Sequence, residues 1–131
     1  MYPDAIIKHF QFEEESWRRE LVFFQQENSI LKSRLADIVN RSNEENAIVA
    51  AETFQEQFIA QDTVFAFLFH ELSDLNQLLE KELFGDGLLF DELIARQDKL
   101  RRDIYRTEMI FYEQKREFGE FISASAMELF H

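Results

Sequence analysis

The sequence predicts an all-α protein, an elongated antiparallel three-helix bundle with coiled-coil-like heptad packing, and three observations predict it. Apolar residues recur at alternating steps of three and four along most of the 131 residues, which is the period of a helical seam and not of a strand. One proline and three glycines leave little to break a helix. Two short polar or glycine-bearing stretches cut the pattern into three segments of similar length. The chain therefore reads as one domain, 1–131, with helices at about 4–40, 43–84 and 88–130.

In the first segment Ile7, Phe10, Trp17, Leu21, Phe24, Leu31, Leu35 and Ile38 fill the a and d positions, with Glu14 and Asn28 as polar intruders. Asp4, after Pro3, is the expected N-cap, and Asn40–Arg41–Ser42–Asn43 the expected stop. Asn28 has two readings. It either pairs in register with its copy across a dimer or is a buried amide bonded to Gln61 or Gln97 inside one bundle. Trp17 on the seam resembles spectrin-type repeats at that one position.

Ser42 to Glu45 fits a capping box, in which the two side chains satisfy each other's free backbone N–H groups. The second register then runs Ala51, Phe54, Phe58, Gln61, Phe65, Leu68, Leu72, Leu75 and Leu79, and closes at Gly85–Asp86–Gly87. The third starts between Asp86 and Asp91. Its seam is Leu93, Gln97, Leu100, Ile104, Thr107, Phe111, Gln114, Phe118 and Phe121, widened by Ile94, Tyr105, Ile110, Tyr112 and Ile122. Gly119 inside it costs about 1 kcal/mol against alanine.

The middle of the second helix is apolar beyond its seam. Val64 to Phe69 is an unbroken apolar run in a chain of net charge −12. With Phe65 at a and Leu68 at d, Val64 falls at g, Phe69 at e and Phe67 at c. Two neighbouring helices account for a, d, e and g, and Phe67 is left over. The expectation is self-association as a homodimer or higher oligomer, with Phe23, Phe24, Val64, Phe67 and Phe69 at the contact.

Charge is unevenly spread. Residues 42–87 carry ten acids against one base, Lys81, while the flanking segments net −1 and −2. An acidic face with Glu52, Glu56, Glu71 and Asp74 suits a basic protein partner, or it is solvated and paired with Arg18, Arg34, Arg96 and Arg102. The same field disfavours nucleic acid. The cluster Lys99, Arg101, Arg102 and Arg106 is interleaved with Asp98, Asp103 and Glu108, so intrahelical pairing is expected.

Chemistry has little to stand on. There is no cysteine, which excludes disulfides and thiolate chemistry. No Glu-x-x-His ends at His9 or His70, where Ile6 and Phe67 stand three residues before, so neither a di-metal centre nor any other metal or cofactor is expected. Glu14 and Glu82 occupy core positions near helix ends, where water should reach them. No nucleophile elbow, phosphate loop or zinc cluster is present, and enzyme activity is not expected. His70 is the candidate phosphoacceptor. His70–Glu71–Leu72 resembles the start of the phosphoacceptor box of sensor histidine kinases, which implies His70 as nucleophile and Glu71 orienting its ring. The arginine and proline usual further on are replaced by Ser73 and Leu75.

The opening residues lack a basic stretch followed by an apolar one, and no apolar run approaches the ~20 residues that cross a bilayer. The expectation is a cytoplasmic protein with no membrane contact that mediates protein–protein interaction or scaffolding. The alternatives are a phosphotransfer bundle using His70 and a carrier of a small apolar ligand among its phenylalanines.

Overall fold

The computed structural model describes residues 3–42, 44–85 and 87–129, the side chains of Pro3 and of 126–129 excepted. Asn43, Asp86 and Phe130, assigned above to the two turns and the last helix end, lie outside the described residues. Three helices account for nearly all the rest: α1 (Pro3–Arg41), α2 (Glu45–Leu83) and α3 (Phe90–Leu129). Each is ~60 Å long at 1.5 Å per residue.

Side-chain pairs fix the directions. Phe24 meets Phe65 and Lys32 meets Asp62, so α1 and α2 run oppositely. Phe65 meets Phe111 and Phe58 meets Phe118, so α2 and α3 do too. This leaves α1 and α3 parallel, and these two helices approach each other least closely.

The core is the heptad seam. Ile7, Trp17, Leu21, Phe24, Leu31 and Leu35 of α1 are buried against Phe58, Phe65, Leu68, Leu72, Leu75 and Leu79 of α2. Leu93, Leu100, Ile104, Phe111 and Phe118 of α3 complete it. The phenylalanines form two layers. Phe24, Phe65 and Phe111 meet at centroid distances of 5.1–6.2 Å. Phe54, Phe58, Phe118 and Phe121 meet at 5.2–6.2 Å nearer the α1–α2 turn. Ring edges and faces fill each layer, as aromatic quadrupoles favour.

The helix ends depart from the expected caps. α1 starts at Pro3, whose missing N–H costs nothing in a first turn, and Asp4 already lies inside that turn, where its charge opposes the helix dipole favourably. The capping box does not form. The N-cap of α2 is Glu44, without a side-chain cap, and Ser42 Oγ instead accepts from the Glu44 N–H at 3.3 Å. The Ser42 N–H stays on the Ile38 carbonyl at 3.0 Å, so Ser42 closes α1 and cannot also open α2.

Beyond α2, Gly87 takes φ +83°, the left-handed turn that a side chain would strain. Glu82 corrects the expectation of a frayed, water-exposed end. It is only 6% exposed, and its Oε1 accepts from the Leu89 N–H at 3.3 Å. It thereby caps the start of α3 from across the turn. Glu14, 3% exposed, is likewise not frayed, because Arg18 one turn on folds over it and closes an ion pair.

Candidate functional site

The wide apolar side of α2 divides between two flanks of the bundle, and α1 and α3 form a third between them. In an antiparallel pair the g positions of two helices face each other. Val64 (g) and Phe67 (c) of α2 therefore share one flank with Ile110 (g) of α3. All three are exposed, Phe67 to 53%. Phe69, at e, turns the other way toward α1 and packs half-buried on the core. On the α1–α3 flank lie Phe23 and Ile30 of α1 and Tyr105 and Tyr112 of α3, all exposed. Phe23 and Tyr112 bracket the Phe24 ring at 6.0 and 5.8 Å.

The five expected interface residues are thus not brought into one surface. Val64 and Phe67 are together, Phe23 is on a different flank, and Phe69 is on a third. Phe24 corrects the expectation outright: it is 1% exposed and belongs to the core. The reason is positional, since Phe24 is at d and its sequence neighbour Phe23 is at c.

The acids are spread around α2 instead of forming one face. Glu52 and Glu56 are exposed near its start, while Glu71 and Asp74 are half-buried toward α3. Glu71 acts on Lys99 of α3, whose ammonium is held above its ordinary pKa first by Asp103, at 2.8 Å. His70 faces solvent, its Nε2 3.6 Å from Asp74 Oδ2 one turn on. Asp74, and not Glu71 as expected from the resemblance, is the acid beside the ring.

Among the described residues the arginines do not pair across to α2 as expected. Arg18 and Arg96 pair within their own helices, with Glu14 and Glu92. The α1–α2 ion pair is Lys32–Asp62. In α3 the interleaved charges do pair internally, Lys99–Asp103, Arg101–Asp98 and Arg106–Asp103.

Between the two phenylalanine layers runs a polar one. Asn28 is fully buried, and its Nδ2 donates to the Phe58 carbonyl at 2.9 Å and to Asp62 Oδ1 at 2.7 Å. Its partners lie inside one chain, though they are neither Gln61 nor Gln97. Gln97 instead donates to the Phe10 carbonyl and to Glu13, both at 3.3 Å. The side-chain oxygens of Asn28, Gln57, Gln61 and Gln114 are buried and accept nothing from the protein.

One feature escaped sequence reasoning. Along the α1–α3 seam, residues 88 positions apart face each other: Arg101 grips Glu13 at 2.7 and 3.1 Å, and Lys115 reaches Glu27 at 3.3 Å. The rung between them is Glu20 with Glu108, two acids. Burial first and the Glu108 charge second push the Glu20 carboxyl up to about 7. For Glu13 burial works the same way, but Arg101 and Gln97 outweigh it and hold its carboxyl below the ordinary value.

Among the described residues no group of three or more His, Asp or Glu side chains is placed to hold a metal ion. No helix is long and apolar enough to cross a membrane among those residues. No protein-family model matches this chain, and no curated protein or solved structure resembles it significantly.

Proposed function

We propose that this chain is a non-enzymatic interaction protein that self-associates through the α2–α3 flank carrying Val64, Phe67 and Ile110. The observation that carries the reading is Phe67, a large apolar side chain 53% exposed at mid-length, with two further apolar residues on the same flank. Aromatic side chains in that setting serve as interface anchors.

Charge favours a second copy over an arbitrary partner. The 42–87 segment nets −9, whereas α3 beside the flank exposes Lys99, Arg102 and Arg106. A two-fold contact laying α2 of each copy over α3 of the other sets acid against base twice, which fixes register and orientation. A basic protein docking on the acids of α2 is the alternative occupant.

Sedimentation equilibrium of the whole chain tests this. The expected result is a concentration-dependent dimer whose dissociation constant rises at least tenfold (~1.4 kcal/mol) in Phe67→Ser and stays put in Phe23→Ser. A strictly monomeric chain at high concentration overturns it.

The phosphotransfer reading draws support from His70, solvent-facing with Asp74 beside it. Acid-labile phosphate that disappears in His70→Gln is its test. The carrier reading has no comparable support, since the core phenylalanines fill their own layers. The shallow hollows described lie outside them, one lined by Lys32, Leu35, Ala36, Val39, Gln55 and Ile59 and the other by Gln77, Glu80, Lys81 and Phe84.

A further inference from the structure

We propose that the α1–α3 seam is a proton-controlled joint, closed when Glu20 and Glu108 share a proton and loosened when both are charged. The inference goes beyond the interaction reading and holds whether or not the chain pairs with a copy.

The geometry comes from the seam itself. α1 and α3 are parallel, and their g and e positions meet at a constant offset of 88 residues. Two rungs are closed ion pairs, Glu13–Arg101 and Glu27–Lys115. Glu20–Glu108, one heptad from each, has the same offset and no cation. Two carboxylates this close cannot both ionise without repulsion, and a hydrogen bond between them requires a proton on one. Burial first, then Glu108, raises the Glu20 carboxyl to about 7.

The surroundings supply no relief. Along the seam the two flanking rungs have their cations already engaged, and Arg19, beside Glu20 in sequence, is exposed at the f position. Arg18 on α1 is held by Glu14, and Arg106 on α3 lies beside Asp103. Tyr105 and Tyr112 line the outer side of the seam. From α2, Leu68 and Leu72 fill this level of the core, and its acid there, Glu71, acts on Lys99 on the opposite flank of α3.

Since the folded chain favours the protonated pair, the contribution to closure is whole below the ordinary glutamate range. It declines as pH rises and is lost once pH passes about 7. Of the three helix pairs α1 and α3 approach each other least closely, so repulsion at the joint parts them without disturbing the α1–α2 and α2–α3 contacts.

Two measurements on the whole chain test the joint. Carboxyl carbon NMR across pH 4 to 9 should place the Glu20 titration near neutrality. A Glu20 titration near the ordinary glutamate value overturns the proposal. The chain has no cysteine of its own, so spin labels at Arg19→Cys and Arg102→Cys report the α1–α3 separation, read with excess unlabelled protein. The separation should widen between pH 5.5 and 8.5, with the closed fraction falling about tenfold. Glu108→Gln, nearly isosteric at a half-exposed position, should keep it short and flat with pH, and Glu108→Lys should do the same by completing the ladder. A widening that survives in Glu108→Gln overturns the proposal.

Discussion

Asn28 and Gln61 illustrate how differently two buried amides serve one layer. Asn28 uses both of its amide hydrogens, on the Phe58 carbonyl and on Asp62. It thereby fixes the axial position of α1 against α2. Gln61 is 5% exposed, and its side-chain oxygen accepts nothing from the protein. A buried polar atom without a protein partner costs more than its hydrogen bond would return. Gln61→Met, similar in volume and flexible enough to fit between two phenylalanine layers, is therefore expected to stabilise the fold by about 1 kcal/mol. Asn28→Ala removes two hydrogen bonds and leaves a void, and should cost about 2–3 kcal/mol. Urea denaturation at pH 7 reads both. A loss of stability in Gln61→Met, beyond experimental error, would mean that its oxygen is well satisfied after all.

At the scale of the helices, the glycines separate backbone strain from helix propensity. Gly119 lies inside α3 with nothing within 4 Å of an added Cβ, so Gly119→Ala should stabilise by about 1 kcal/mol. Gly87 has equally open space but φ +83°, and Gly87→Ala should cost about 1 kcal/mol. Thermal melting of the two variants should move in opposite directions. The same contrast explains what the sequence disclosed. Which residues are buried in each helix was legible, because a seam is decided by local periodicity alone, and Phe24 at d went inside while Phe23 at c did not. The caps were less legible. Ser42 carries a capping-box partner at Glu45, yet its N–H remains with α1, and only the folded turn reveals Glu82 reaching Leu89. Cross-helix pairs were not legible at all. Each heptad gives a helix its inner face, but the axial offset between α1 and α3 comes only from packing. Once Glu13 is set against Arg101, the confrontation of Glu20 with Glu108 follows by counting seven residues along both helices.

For the molecule as a whole, charge acts at two ranges with opposite signs. Two copies of a chain carrying −12 repel as bodies, while α2 of one copy set on α3 of the other brings acids and bases into contact. Salt discriminates by distance. The screening length is about 30 Å at 0.01 M and about 8 Å at 0.15 M, so the first increments of salt remove the repulsion between bodies and leave contacts of a few ångströms largely intact. Self-association through Val64, Phe67 and Ile110 should therefore tighten over that range, with the dimer constant falling several-fold. A basic partner held by the acids of α2 behaves oppositely, since attraction then acts at long range too and salt weakens it. Sedimentation of the pure chain at the two ionic strengths gives the sign directly. Dimers that dissociate as salt is added would place the contact on opposed charges and not on the apolar flank, and Phe67 would then be an exposed aromatic with no part in assembly.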